Sequence, residues 1–214
     1  MRRAGHQTRA AVGGTFSPAW AWRPAVIARF ARTLGVMTDI TLCSIKAAAK
    51  EELAALQREV FDDYERSELL AEVMEAEALA RPVSEPPELP AAFGVAAFDG
   101  STLVGWSQGF RHGTREFYML NSGVKSSQRR NGIYTAMVRA VLDHAKEQGY
   151  QRVTSRHAAG NTSVLIAKLR LGFRVSGFEF SEVYGPLVQL TFLVNEARDR
   201  LYRVRAASIR TPER

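Results

Sequence analysis

The sequence predicts an α/β domain, a mixed sheet covered by helices, and three observations predict it. Two apolar, β-branched or aromatic runs, Phe93 to Phe98 and Thr102 to Phe110, meet across Asp99-Gly100, a dipeptide whose positive φ suits a tight hairpin. From Gly132 the pattern takes a helical period, with Ile133, Met137, Val138, Val141, Leu142 and Ala145 on one face. Strand and helix patterns then alternate, giving the order β-α-α-β-β-β-α-β-α-β-β.

Taken in order, a strand at about 39–45 leads into Ala47 to Tyr64, where Leu53, Leu56, Val60, Phe61 and Tyr64 recur at helical spacing opposite Lys, Glu and Asp. Ser67 caps a second helix to about Arg81. The prolines at 82, 86, 87 and 90 make the next stretch a loop, because proline removes donors and breaks helices. After the hairpin, the turn Arg111-His112-Gly113-Thr114 returns the chain into a strand from Glu116 to Val124. The helix opened at Gly132 stops at Gly149. A strand from Arg152 to Ala158 follows, then a short helix from Asn161 or Thr162 to Gly172. Closing strands at about 173–183 and 187–194 flank Tyr184-Gly185-Pro186, and Glu196 to Arg205 forms a short basic helix.

With 214 residues, 46% of them hydrophobic, the chain has material for one well-buried domain. The net charge of +7 would suggest nucleic acid or a membrane if it were spread over the fold. It is concentrated instead. Residues 1–37 hold six arginines and no acid, leaving 23 basic residues against 22 acidic ones from 38 to 214. A near-neutral body lacks the field that phosphate-backbone binding requires, so no nucleic-acid partner is expected. The single cysteine, Cys43, has no internal disulfide partner and reads as a small apolar strand residue. No metal motif is present, and no apolar run is long enough to span a bilayer.

Residues 1–36 read as an Arg/Ala-rich, disordered extension. An organelle transit peptide, a membrane-touching amphipathic segment with Trp20, Trp22, Ile27 and Phe30, and a start of translation at Met37 are the competing origins. The last is preferred, because Met37-Thr38-Asp39-Ile40 leads directly into the first strand. The expected domain is 37–205 with a tail at 206–214, and the expected location is the cytoplasm, with organelle targeting the lesser alternative.

A strand running into an Arg-x-x-Gly turn at a helix start has a direct chemical use. Unpaired N–H groups and the positive end of the helix dipole converge there on a phosphate or pyrophosphate. Gly132 lets backbone approach such a ligand without a Cβ, and Arg129 and Arg130 add charge. The bland reading of the same turn is a solvated basic loop. Its context decides between them: Val124-Lys125-Ser126-Ser127-Gln128-Arg129-Arg130-Asn131-Gly132-Ile133-Tyr134 resembles motif A of the GNAT (GCN5-related N-acetyltransferase) superfamily. Asn161-Thr162-Ser163-Val164-Leu165-Ile166-Ala167-Lys168-Leu169-Arg170-Leu171-Gly172-Phe173 resembles motif B. The resemblance covers roughly residues 38–195.

That resemblance implies the acyl-CoA N-acyltransferase fold, with a central, mostly antiparallel sheet, and acetyl-CoA as the acyl-donor cosubstrate. Two strands are expected to splay so that the pantetheine arm lies between them. Backbone contacts would come from Ser122, Gly123 and Val124, and phosphate contacts from Arg129, Arg130, Asn131, Gly132, Ile133 and Tyr134. Asn161 would touch the coenzyme or serve only as a helix N-cap. The acceptor is a small-molecule or peptide amine of unidentified kind, and a homodimer is compatible with the pattern.

Two departures stand out. Tyr134 replaces a glycine or alanine, so its side chain must turn away from the pyrophosphate or hold the loop back from it. Lys168 occupies the position of the tyrosine that often protonates the departing thiolate; a lysine there donates a proton if burial lowers its pKa, but on a helix face it is expected to point to solvent. The implied reaction is direct attack of a neutral amine, with a strand N–H near Gly123 or Val124 facing the oxyanion. His157 is preferred over Glu116 as base, and Tyr184 is a candidate acid. The alternative is a non-catalytic acyl-CoA-binding protein, which the lysine at 168 favours.

Overall fold

The computed structural model describes residues 28–30, 40–65, 72 and 92–207. The helix expected from Ser67 to about Arg81 and the proline-rich loop lie outside the described residues, apart from position 72, which is helical.

Eight strands form one sheet in the order β1-β2-β3-β4-β5-β6-β8-β7. They are β1 (Ala28–Phe30), β2 (Ile40–Ser44), β3 (Ala92–Asp99), β4 (Thr102–His112), β5 (Glu116–Val124), β6 (Arg152–Ala158), β7 (Arg174–Ser181) and β8 (Gly185–Leu193). Every neighbouring pair is antiparallel except β5 and β6. β1 falls within the stretch read as an extension; Ala28, Arg29 and Phe30 pair with Leu42, Thr41 and Ile40 at the sheet edge.

The helices are α1 (Lys50–Glu65), α2 (Ile133–Glu147), α3 (Thr162–Arg170) and α4 (Glu196–Ala207). Alternation along the strands feeds two cores. On one face, Leu56, Ala96, Leu103 and Trp106 form a cluster with Leu53, Val60 and Phe61 of α1, and Phe61 meets the Trp106 ring edge-on at 5.7 Å. On the other, Met137, Val138, Val141 and Ala145 of α2 are fully buried against Val95, Ala97, Phe117, Met119 and Val153. Each buried valine or methionine here contributes about 1.5–3 kcal/mol, so α2 is fixed to its face of the sheet. α3 joins that face through Leu165 and through Leu171, which caps its C-terminus.

The parallel pair is short. β5 and β6 are in register only at Glu116↔Arg152, Phe117↔Val153 and Tyr118↔Thr154, and beyond Tyr118 the β6 side of β5 is open. β6 meanwhile pairs with β8 over its whole length. The divergence has a local cause. Gln108 pairs with Asn121 and Gly109 with Met119, so Leu120 is an extra residue that bulges β5 where it leaves β6.

Candidate active site at the strand splay

A cavity of about 810 Å³ occupies the divergence. Phe61 of α1 lines it from one face of the sheet, and Tyr134 of α2 with Asn161, Val164 and Lys168 of α3 line it from the other. The space therefore passes through the sheet between β5 and β6, which contribute Tyr118 to Ser122 and Arg156 to Ala158.

At the apex stands Lys168. The expectation that it points to solvent is overturned: it is 1% exposed, because the α3 face that carries Leu165 turns it onto the sheet. Its Nζ donates to Ser155 Oγ at 2.8 Å and to Met119 Sδ at 3.2 Å, and lies 4.6 Å from the Phe173 ring centroid. Met119 and Ser155 directly follow the last paired rung, Tyr118↔Thr154, so the amine bridges the two strands where they part. Among the described residues no carboxylate forms an ion pair with it, and burial pushes its pKa down to about 7.

Ser155 Oγ lies 3.0 Å from His157 Nε2, which completes a chain Lys168–Ser155–His157. His157 lines the cavity. Burial first, then the charge on Lys168, holds it far below the usual histidine range, so at neutral pH it is an uncharged ring.

Glu116 stands elsewhere. It lies at the paired end of β5, accepting from Thr154 Oγ1 at 2.6 Å and pairing with Arg152 and with His112 at 3.2 Å. Burial works to raise its pKa, but the hydrogen bonds from Thr154, His112 and Arg152 together hold it below the ordinary carboxylate value. It is not among the cavity-lining residues. Tyr184 is, though it sits 58% exposed in the β7–β8 connection.

Of the residues expected at the coenzyme, Ser122, Tyr134 and Asn161 line the cavity. Ser122 Oγ meets Ser107 Oγ at 2.9 Å. Asn161 caps α3, its Oδ1 accepting from Val164 N at 3.4 Å, and faces the cavity as well. Tyr134 turns inward, and its hydroxyl is buried without a hydrogen-bond partner; burial raises its pKa. At Gly123 an added Cβ would come within 2.4 Å of the Trp106 ring.

The turn itself lies beyond the cavity lining. Arg130 and Gly132 both adopt left-handed backbone, φ 63° and 77°. They bend the chain, with Asn131 between them, into the first turn of α2, whose leading N–H groups have no intrahelical acceptor. At Gly132 an added Cβ would meet no atom of the described residues within 4 Å, which leaves room for a ligand against the backbone. The Arg129 guanidinium folds back, its Nε donating to the Val124 carbonyl at 3.1 Å. Asn131 Nδ2 donates to Gln128 Oε1, and Ile133 is buried in the core, so both serve the turn's shape through their side chains.

The sheet is mixed and opens between its two parallel strands, with the turn into α2 following the end of β5. The sequence matches the acetyltransferase (GNAT) family over residues 50–173, and the chain belongs to that family. Solved structures with the same fold include Ard1 from Thermoplasma volcanium, at 16% identity and TM-score 0.54, covering 73% of this chain and 98% of that one. The ribosomal-protein-S18-alanine N-acetyltransferase from Escherichia coli aligns at 14% identity and TM-score 0.52, over 73% and 94%. An aminoglycoside 6'-N-acetyltransferase complexed with coenzyme A aligns at 18% identity and TM-score 0.50, over 72% and 97%. No curated protein sequence matches the chain. Among the described residues no helix is long and apolar enough to cross a membrane, and no three His, Cys, Asp or Glu side chains are grouped to hold a metal ion.

Proposed function

We propose that the chain is an acetyl-CoA-dependent N-acetyltransferase that acetylates a primary amine by direct attack. The observation that carries this reading is the buried Lys168 at the apex of a splay open to both faces of the sheet. Acetyl-CoA supplies the activated acyl group as a thioester. The residues present suit it: left-handed backbone and free N–H groups at 130–134 for the pyrophosphate, an open β5 edge beyond Tyr118 for the pantetheine amides, and an unpartnered Tyr134 hydroxyl inside the cavity.

The amine enters from the α1 side, past Phe61 and Tyr118, and β5 backbone N–H groups near the Leu120 bulge stabilise the developing oxyanion. Lys168, in its ammonium form, donates a proton to the departing sulfur. With a pKa of about 7 it is a stronger acid than an ordinary thiol at about 8.5, so the transfer runs downhill. His157 and Ser155 link the attacking nitrogen to the now neutral Lys168, and because the His157 ring is too weakly basic to keep a proton, the one released by that nitrogen ends on Lys168. Glu116, committed to Thr154, Arg152 and His112, holds the paired end of the strands and takes no proton.

The test is thiol release with acetyl-CoA across a panel of amines, amino acids and peptides. Release with at least one acceptor, lost in Lys168→Met while coenzyme binding persists, is the expected result. Coenzyme binding with no release on any amine favours the non-catalytic acyl-CoA-binding alternative. In parallel, calorimetry of Gly132→Val should report a larger loss of acetyl-CoA affinity than Arg130→Ala. The valine is strained at φ 77° and fills the ligand's space, whereas one charge-assisted hydrogen bond at an exposed turn is worth about 1.5–3 kcal/mol. A folded Gly132→Val that binds like the parent would remove the phosphate from this turn.

A further inference from the structure

Among the described residues, Lys168 is the one charged side chain in the buried core. Its surroundings are apolar or neutral: the Phe173 ring, the Met119 thioether, the Ser155 hydroxyl and, through Ser155, the uncharged His157 ring. With the Ser155 hydroxyl proton turned to His157 Nε2, the neutral amine's two N–H bonds are accepted by Ser155 Oγ and Met119 Sδ. The nitrogen lone pair is then left without a donor. Because Lys168 lines the cavity and is otherwise sealed, whatever reaches that lone pair must come from the splay itself.

We propose that Lys168 is itself an acyl acceptor: with a thioester seated in the splay and the α1 side empty of amine, its Nζ attacks the acyl carbon and becomes an Nε-acyl-lysine. The step is balanced. A bond forms between nitrogen and the acyl carbon, the bond between that carbon and sulfur breaks, and the proton lost by nitrogen leaves on the thiol. The inference rests on the donor reading above and concerns a different fate of the same thioester. Two features favour it. The lysine is held at a fixed place by Ser155 and Met119, so the reaction is effectively intramolecular once the thioester is bound. The product also exchanges a buried, unpaired cation for a neutral amide, which removes the charge that the apolar site tolerates worst. An acylated Lys168 has no proton to give a departing thiolate, so the modified chain is switched off.

The experiment incubates the full chain with acetyl-CoA and no amine, follows intact mass, and maps acetyl groups by peptide mass spectrometry. The exposed lysines Lys50 and Lys146 serve as internal references. The expected result is a gain of one acetyl group, localised to Lys168 and forming roughly tenfold or more faster than on either reference, as binding of the donor beside the amine dictates. Lys168→Arg should lose that fast site while its reference lysines label as before. Calorimetry of acetyl-CoA binding on the same samples separates the two failures. Binding with Lys168 labelled no faster than the references overturns this inference and leaves the donor reading standing. No binding at all removes the donor reading, and the inference falls with it.

Discussion

Lys168 is where a single residue's environment makes the strongest forecast. Its pKa in the fold, about 7, lies below the roughly 10.4 of an unfolded lysine, so between those values the unfolded chain binds a proton that the folded chain does not. Stability from this group therefore rises with pH across the window and is at its lowest below pH 7. Against Lys168→Met, which removes the charge and keeps the bulk, the parent should be less stable at pH 7, and the gap should narrow by up to about 1.4 kcal/mol per pH unit toward pH 10. Urea unfolding of both proteins at pH 7, 8.5 and 10 checks it, and a gap independent of pH would mean the lysine keeps an ordinary pKa. Gly123 gives a second forecast. An alanine there meets the Trp106 ring at 2.4 Å and Val60 at 2.8 Å, so Gly123→Ala should cost about 1–3 kcal/mol of stability by overpacking, readable in the same assay. The missing side chain at Gly123 makes room for the tryptophan.

At the scale of elements, the turn chemistry was legible residue by residue. Gly100 at φ 58° closes the β3–β4 hairpin, Gly149 at φ 74° follows the end of α2, and β5 and β6 begin and end where their apolar patterns do. Local rules decide such boundaries, because φ preference and side-chain period act within a few residues. The Leu120 bulge was not legible, since it depends on how Gln108 and Gly109 of another strand are spaced against Met119 and Asn121. Asn161 shows both levels in one side chain, a cap for α3 and a wall of the cavity. Asn161→Ala should lower stability by about 1 kcal/mol, whereas Asn161→Asp keeps a capping oxygen and should be nearly neutral. Measuring acetyl-CoA affinity in both separates the roles: equal loss in the two variants assigns the amide a ligand contact, and loss in neither reduces Asn161 to its cap.

For the whole molecule, the question is how much of the chain the site needs. Both core clusters and every cavity-lining residue lie at or after Ile40, and β1 adds three residues to the edge of β2, five strands away from β6 in the sheet order. A chain beginning at Met37 should therefore keep its acetyl-CoA affinity and lose at most a few degrees of Tm, from an edge strand of three residues. Thermal unfolding and calorimetry on the truncated and full chains check this; a large loss in either would tie the first 36 residues to the working fold. The truncated chain, close to charge neutrality, should also lack any salt-sensitive binding to nucleic acid.

Composition, period and turn residues by themselves determined the order of the elements from β3 to α4, the buried faces of α1 and α2, and the glycine turn that opens α2, because each of these follows from interactions within one turn or one hairpin. Tertiary structure decided the rest. Which strands lie side by side, that β5 and β6 hold together for three rungs and then part, that Arg129 spends its Nε–H on the Val124 carbonyl, and that Lys168 is driven into the apex all depend on residues far apart in the chain. A lysine on a short helix is read as a solvated charge from sequence because water is its cheapest surrounding. Only the packing of α3 over the divergence of two strands brings Met119 and Ser155 to meet it, and with them the chemistry of the site.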